Sequence, residues 1–265
     1  MTHLTPYFRE AGSGPGVVCL HSNASTSAQW RALMECLSSS HRVFAPDSLG
    51  AGKSPAWPVD RAVTLRDEVA LLEPVFAAAG EPFSLVGHSY GAAVSLMAAL
   101  ARPERVRAIA VYEPTLFSLL EEEAPGQEAA NAIRSAAADA AAAVAASDNA
   151  AAAQRFIDYW MGPGAWSRFP ENRQAPIAMS MSNIAGWASA LFSEPTPLQT
   201  FRALDVPVLY MVGAQSPASS RGVARLLAGT LANVTVKEFA ELGHMGPVTH
   251  PELVNGAVVD FLARH

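Results

Sequence analysis

A serine enclosed by two glycines, at the junction of an apolar run and a helical pattern, constrains this chain most. Residues 87–91 read GHSYG, after an apolar run at 83–86 and before a helical pattern at 92–101. In so sharp a turn, glycines two residues before and after Ser89 leave room for the chain to reverse, and the serine adopts strained backbone geometry. The motif predicts an exposed Ser89 hydroxyl at a helix N-terminus, where the helix dipole and the Tyr90 N–H stabilise negative charge. An ordinary strand-to-helix turn is the alternative interpretation.

Composition places few limits on the fold but excludes some partners. The chain has 265 residues, 50% of them apolar and 16% charged, with a formal net charge of −6. A chain of this length buries a large core as one domain, with room for an inserted cap. An acidic protein offers no electrostatic attraction for a phosphate backbone, so we expect a small-molecule substrate and no nucleic acid partner.

The N-terminus and the two cysteines carry little signal. The first ten residues contain neither a basic leader nor a long apolar stretch, so we expect no secretory signal and, by default, a cytoplasmic protein without a membrane partner. Cys19 lies in an apolar run and Cys36 in a predicted helix. We expect both to be small buried hydrophobic residues that form neither a disulfide nor a metal site. No sequence pattern indicates a cofactor.

Short apolar runs alternate with helical patterns along most of the chain. Strands are predicted at 17–20, 42–45, 83–86, 106–112, 207–212 and 234–239, and further helices at 28–37, 65–79, 220–231 and 251–263. The helix at 65–79 should begin after Thr64, with Asp67 three residues on, and end before Gly80. This alternation predicts an α/β fold, with a parallel sheet covered by helices on both faces.

One long interval interrupts the alternation. Residues 115–200 show no strand pattern and read as helices and loops, too long for a structureless connection. We therefore expect residues 1–114 and 201–265 to form the core domain, and residues 115–200 to form an inserted helical cap. The later part of the interval is rich in aromatic and methionine side chains, of which most should pack the cap on the core and some should line an apolar pocket above Ser89. They are Phe156, Tyr159, Trp160, Met161, Trp166, Phe169, Met179, Met181, Trp187 and Phe192.

Two further motifs accompany the serine turn. Residues 47–54 read DSLGAGKS after a predicted strand, and residues 242–245 read LGHM near the C-terminus. With the GHSYG turn and the helical interruption, they resemble the α/β-hydrolase family over nearly the whole chain. The resemblance implies an α/β-hydrolase fold, a mostly parallel sheet flanked by helices with an inserted helical cap. A phosphate-binding loop is excluded at 52–54, because the earlier glycine that it requires is replaced by Asp47.

Serine is a poor nucleophile at neutral pH and needs a neighbouring base. His244 is the best candidate, because it follows the predicted strand 234–239 on a glycine-flanked loop that should end at the same sheet edge as Ser89. That loop also looks like the family's catalytic-histidine loop, and the order of nucleophile before histidine matches the family. His250 is instead expected to help start the last helix.

An oxyanion hole needs a second backbone N–H besides that of Tyr90. Residues 21–23 read HSN after the first buried strand, where the family usually carries His-Gly. Ser22 in place of glycine makes the local backbone less permissive. By position, Asn23 is similar to the residue that donates its N–H in the family. The alternative is an ordinary polar turn in which Asn23 caps the following helix.

The acid of the expected triad departs from the family pattern. Family members commonly carry an aspartate after the strand at 206–212, but residues 213–217 read GAQSP. Asp205 precedes that strand, at the wrong end of the sheet. Glu113 directly follows the strand 106–112 at the catalytic edge, where a minority of the family places its acid, and we expect it to orient His244. Two alternatives are open. Glu113 is merely a buried carboxylate or one that contacts the cap, or the site is a dyad without an acid.

These residues point to acyl transfer. A serine at the turn argues against the epoxide hydrolase and haloalkane dehalogenase branches, which need a carboxylate to form an alkyl-enzyme ester. Hydrolysis of small to medium, mainly apolar carboxylic esters is the expected activity. Thioester, lactone, peracid and C–C bond chemistry use similar machinery, and an inactive hydrolase-like ligand-binding protein is a further alternative.

Overall fold

A seven-stranded sheet forms the centre of the computed structural model, which describes residues 5–58, 61–123 and 128–265. Residues 1–4, part of the segment in which we expected no secretory signal, lie outside the described residues. The strands are β1 (Phe8–Ala11), β2 (Gly16–Leu20), β3 (Arg42–Pro46), β4 (Phe83–His88), β5 (Val106–Tyr112), β6 (Val208–Gly213) and β7 (Val234–Phe239). Their order is β1-β3-β2-β4-β5-β6-β7, and β1 pairs antiparallel while the other neighbours pair parallel. The mostly parallel α/β-hydrolase sheet predicted from sequence is confirmed.

Helices connect the strands and cover both faces of the sheet. They are α1 (Arg31–Leu37), α2 (Leu65–Ala79), α3 (Tyr90–Ala101), α4 (Ser118–Glu123), α5 (Glu128–Ala145), α6 (Asn149–Met161), α7 (Glu171–Ser180), α8 (Ile184–Phe192), α9 (Ala218–Thr230), α10 (Gly246–Thr249) and α11 (Pro251–Leu262). Leu85 and Ile109 belong to the apolar layer that includes α2, α3 and α9, whereas Val86 and Ala110 belong to the layer of α1 and α11. Burial on both faces explains why the central strands are apolar runs without polar alternation.

Local sequence signals set several of these boundaries. Helix α2 spans the predicted residues because Thr64 accepts a hydrogen bond from the Asp67 N–H while the Asp67 carboxylate accepts one from the Thr64 N–H. The predicted helix at 28–37 instead begins as a 3-10 turn, Ser27–Trp30, before α1. The sequence reading missed β1, a short edge strand. The expectation for Cys36 was wrong, because Cys36 is exposed on α1 while Cys19 is buried.

The chain between β5 and β6, residues 115–200, will be called the helical insertion. Its described residues form α4 to α8 and short 3-10 turns, without a strand. Side chains such as Phe117, Trp160 and Trp187 join the same apolar cluster as strands β4 and β5, so the insertion packs on the core. Its role as a separate cap stays a prediction. In the described part of the chain, no helix combines the length and apolarity needed to cross a membrane.

A buried carboxylate connects α2 to two other parts of the core. Glu68 is 1% exposed. It accepts hydrogen bonds from the Leu49 N–H at 3.1 Å and from the Tyr90 hydroxyl at 3.1 Å. Burial raises the pKa of Glu68 to about 7, and those hydrogen bonds offset only part of the increase. Glu68 therefore ties the loop after β3 and the first residue of α3 to α2.

Glu68→Gln is expected to stabilise the protein above neutral pH. A raised carboxyl pKa means that the folded state holds the proton more tightly than the unfolded state, so folding stability falls as pH rises from about 4.5 to about 7. The shift corresponds to a loss of about 3 kcal/mol. Denaturant unfolding at pH 5 and pH 8 should show this loss in wild type and a much smaller one in Glu68→Gln. The mostly exposed Glu73 of the same helix supplies the control, Glu73→Gln, which should keep the wild-type pH dependence.

Candidate active site

The turn around Ser89 has the strained geometry that its glycines predict. Ser89 has φ 57° and ψ −115° and immediately precedes α3. A Cβ atom on Gly87 would lie 2.5 Å from the Ala92 Cα, and one on Gly91 would lie 2.3 Å from the Leu20 carbonyl oxygen. Holding a non-glycine residue in such a conformation costs on the order of 1–3 kcal/mol. The sequence predicted an exposed Ser89 hydroxyl, but Ser89 is only 5% accessible and lines a cavity that is partly open to solvent.

Ser89, His244 and Glu113 form a continuous hydrogen-bonded chain. His244 Nε2 lies 2.9 Å from the Ser89 Oγ, and His244 Nδ1 lies 2.6 Å from the Glu113 Oε2. Because a carboxylate only accepts, Nδ1 carries the proton and donates to Glu113, which leaves Nε2 free to accept from the serine hydroxyl. Ser89 directly follows β4, Glu113 directly follows β5, and His244 lies in the loop after β7. The carboxyl ends of these parallel strands lie at one edge of the sheet.

Glu113 is completely buried and directly follows β5 in a left-handed conformation with φ 47°. Its second carboxylate oxygen accepts hydrogen bonds from the Gly213 N–H at 2.7 Å and the Ser216 hydroxyl at 2.5 Å. Both donors belong to the end of β6 and the loop after it, where the resemblance led us to look for an aspartate. That loop contributes hydrogen-bond donors to the carboxylate of the neighbouring strand.

Ser89 and Glu113 occupy equivalent positions on neighbouring strands. His88 pairs with Tyr112 in the parallel register of β4 and β5, so each of the two side chains is the first after a paired residue. The Ser89 N–H donates to the Tyr112 carbonyl at 2.9 Å, which continues the ladder by one bond. The strand register thus places the serine beside the carboxylate.

An indole covers the imidazole of His244. Trp160 of α6 stacks on it with ring centroids 3.9 Å apart and an interplanar angle of 25°. The Ser220 hydroxyl approaches His244 Nδ1 at 3.3 Å from α9. The sequence analysis grouped Trp160 with the other apolar side chains of the helical insertion and did not identify Ser220. No local sequence pattern indicates that either residue contacts His244, which lies much later in the sequence.

Two loops after β2 and β3 are held together by polar side chains. His21 Nδ1 donates to the Ser22 carbonyl at 2.7 Å, and His21 Nε2 accepts from the Ser48 N–H at 3.0 Å. Burial lowers the pKa of His21 and keeps it neutral. Asp47 accepts from the Ser27 N–H at 2.6 Å and the Lys53 N–H at 3.0 Å, so the residues 47–54 form a structural turn.

The loop after β2 carries the first of the two predicted oxyanion donors, Asn23. Asn23 is half-buried and lines the same cavity as Ser89. Thr26, not Asn23, caps the 3-10 turn, since its side chain accepts from the Ala28 N–H. Ser22 does not carry the positive φ angle; the left-handed residue of this loop is Ala24, with φ 56°.

Tyr90 supplies the other expected donor. It is the first residue of α3, where backbone N–H groups have no partner within the helix. Within the described residues, no hydrogen bond engages the backbone N–H of Asn23. Asn23 and Tyr90 therefore stay the predicted oxyanion donors.

The cavity has a volume of about 1440 Å³, above the 300–1,000 Å³ typical of small-molecule sites. Six of the aromatic and methionine side chains singled out from the sequence line it, namely Phe156, Trp160, Met161, Phe169, Met179 and Trp187. Four others, Tyr159, Trp166, Met181 and Phe192, do not line it. Over residues 5–58, 61–123 and 128–265, no group of three histidine, cysteine or acidic side chains is placed to hold a metal ion.

A sequence profile of the alpha/beta hydrolase fold matches residues 15–251. The chain belongs to the α/β-hydrolase family. It is 28% identical to a 2-hydroxymuconate semialdehyde hydrolase of Pseudomonas sp. (strain CF600), over 95% of this chain and 84% of the relative. It is also 36% identical to a haloalkane dehalogenase of Agrobacterium fabrum, over 42% of this chain and only 36% of the relative. An esterase from Exiguobacterium antarcticum shares the fold with a TM-score of 0.80, at 19% identity over 97% and 95% of the two chains.

In this α/β-hydrolase, Gly91→Ala is expected to lower the free energy of unfolding by about 1–3 kcal/mol or more, because the added methyl group would meet backbone atoms of Leu20 and His21 that cannot move independently. Denaturant unfolding measures the change. Gly256→Ala in α11 is the matched control, since a Cβ there meets nothing within 4 Å. That control should be neutral or stabilising by about 0.5–1 kcal/mol. Equal stability of the two variants would contradict the close approach of α3 to β2.

Proposed function

We propose that this α/β-hydrolase is a serine hydrolase that cleaves small to medium, mainly apolar carboxylic esters through an acyl-enzyme. The hydrogen-bonded chain from the Ser89 Oγ through His244 to the Glu113 carboxylate, at 2.9 and 2.6 Å, carries the proposal. Nucleophile, base and orienting acid each lie within hydrogen-bond reach of the next, as covalent acyl transfer requires. The 2.6 Å contact between His244 and Glu113 supports a triad over a dyad without an acid.

In the proposed reaction, the Ser89 Oγ attacks the ester carbonyl carbon while His244 Nε2 takes its proton. The developing oxyanion accepts hydrogen bonds from the Tyr90 and Asn23 N–H groups. His244 then gives its proton to the departing alcohol, and the acyl group stays on Ser89. A water molecule, deprotonated by His244, attacks the acyl carbon, and His244 returns the proton to the Ser89 Oγ as the carboxylic acid leaves. Glu113 holds the imidazole in the required tautomer and stabilises the imidazolium.

The helical insertion acts as the cap in this proposal. It supplies Trp160 over His244 and the apolar side chains of Phe156 and Trp187 to the cavity. Burial of an unpaired charge among such side chains is costly, which favours apolar acyl or alcohol groups. The core is proposed to comprise residues 1–114 and 201–265, with the cap at 115–200.

C–C bond hydrolysis is the second candidate. The relative named 2-hydroxymuconate semialdehyde hydrolase matches nearly the whole chain, including the insertion. The partial match to a haloalkane dehalogenase is a weaker guide, because alkyl-enzyme formation needs a carboxylate where this chain has Ser89. A screen over p-nitrophenyl acyl esters, thioesters, lactones and vinylogous 1,5-diketones separates these reactions.

Ser89→Ala should remove ester turnover while the protein remains folded, because the change deletes one small hydroxyl at a turn. Loss of a triad nucleophile costs several orders of magnitude in rate, with slow residual catalysis from the oxyanion donors. Rates on the best ester of the screen, together with labelling by a fluorophosphonate, measure the effect. Ser95→Ala is the control, since the hydroxyl of this buried serine of α3 donates to the Gly91 carbonyl of its own helix. Wild-type turnover by Ser89→Ala would contradict the mechanism.

Glu113→Gln should lower kcat by roughly 10³–10⁴-fold, because the amide favours the wrong imidazole tautomer and leaves the imidazolium unpaired. Its remaining oxygen still accepts from Gly213 and Ser216, so circular dichroism should show an intact fold. Ser216→Asp, combined with Glu113→Gln, should restore part of the rate by returning a carboxylate to this edge. In the wild-type background Ser216→Asp should lower the rate, since two carboxylates would meet. Unchanged kinetics in Glu113→Gln would exclude the assigned role.

A further inference from the structure

A second hydrogen-bonded chain runs behind Ser89 and His244. The amide of Gln29, on the 3-10 turn before α1, bonds at one end to Ser22 and at the other to His88. Gln29 Oε1 accepts from the Ser22 N–H at 3.1 Å and from the Ser22 hydroxyl at 3.0 Å. His88, the residue before Ser89, continues the chain with Nε2 at 2.8 Å from the backbone carbonyl oxygen of His244.

The proton positions along this chain follow from its two ends. The Ser22 N–H only donates, so Gln29 must present its oxygen there and its NH₂ group to His88. The His244 carbonyl only accepts, so His88 carries its proton on Nε2, and His88 Nδ1 accepts from Gln29 at 3.1 Å. His88 is therefore neutral. Burial and the nearby imidazoles of His244 and His21 hold the pKa of His88 well below its usual range, which agrees with this assignment.

This hydrogen-bonded chain connects three segments whose relative positions matter for the proposed reaction. Ser22 immediately precedes Asn23, the proposed oxyanion donor after β2. His88 belongs to the turn that presents Ser89, and the carbonyl belongs to His244 itself. Gln29 also accepts from the Ser22 N–H, so that N–H is not available to an oxyanion.

We propose that Gln29 is a positioning residue, which holds the Asn23 N–H and the His244 main chain at fixed distances from Ser89 through Ser22 and His88. This inference rests on the proposed serine hydrolase function. An oxyanion donor contributes to the transition state more than to substrate binding, so its displacement lowers kcat and leaves KM nearly unchanged. Gln29 lines the same cavity as Ser89, but among the described residues its amide bonds to Ser22 and His88 and not to the Ser89 or His244 side chain.

The first test compares Gln29→Ala with Gln174→Ala, using p-nitrophenyl acetate and the best ester of the screen. Gln174 controls for the loss of a hydrogen-bonded amide, because its Nε2 donates to the Trp166 and Phe169 carbonyls and the residue does not line the cavity. Gln29→Ala should lower kcat by roughly 10- to 100-fold, with KM within threefold of wild type. Gln174→Ala should keep kcat within twofold.

The second test uses Gln29→Glu, which retains the size of the side chain and both acceptor contacts to Ser22. A carboxylate facing His88 Nδ1 draws a second proton onto that ring, so His88 links the segments only while it is charged. We expect the kcat of Gln29→Glu to approach that of wild type at pH 6 and to fall towards that of Gln29→Ala at pH 8. Nitrogen-15 NMR of histidine-labelled protein should show a doubly protonated His88 in Gln29→Glu and the neutral Nε2–H form in wild type.

The possible outcomes separate the two proposals. Turnover in wild type with kcat unchanged in a folded Gln29→Ala variant would overturn the role of Gln29 and leave the serine hydrolase intact. A rate loss in Gln29→Glu that is the same at pH 6 and pH 8, with His88 neutral, would also overturn it. Absence of turnover and of fluorophosphonate labelling in wild type would refute the proposed function, and the role of Gln29 with it.

Discussion

A completely buried carboxylate is the constraint on which this site depends. Glu113 has no access to water, so each of its lone pairs must find a donor within the protein. The donors come from three places: the His244 imidazole, the Gly213 N–H at the end of β6 and the Ser216 hydroxyl beyond it. The hydrogen bonds to this one carboxylate therefore fix the positions of β5, β6 and the loop after β7 relative to one another.

Local signals made much of the fold predictable. The sharp turn around Ser89 requires glycines at fixed spacing, and α2 begins at a reciprocal pair of hydrogen bonds between residues three apart, so both can be read from short segments. The edge strand β1 escaped detection because it is four residues long and only partly buried, which leaves little hydrophobic pattern. Cys36 was misplaced because its burial was expected from its residue type, whereas the helical spacing of Leu33, Met34 and Leu37 gives the buried face of α1.

Only those parts of the site that follow from the topology of the sheet could be predicted from the sequence. The carboxyl ends of parallel strands meet at one edge, and this brought Ser89, Glu113 and the loop of His244 together in the expectation. Contacts between distant segments had no such guide. The stack of Trp160 on His244 and the bond from Gln29 to His88 depend on the path of the helical insertion and on a 3-10 turn, and neither leaves a periodic signal.

The equivalent positions of Ser89 and Glu113 determine which acidic side chain can reach His244. Neighbouring strands lie about 4.8 Å apart, so an acid after β6 stands one strand closer to the loop that follows β7 than an acid after β5 does. An aspartate suffices at the nearer position. From the end of β5 the carboxylate must span an additional strand, and glutamate supplies the extra methylene group. The choice of acid at position 113 is in this sense a matter of reach: side-chain length compensates for a change of strand.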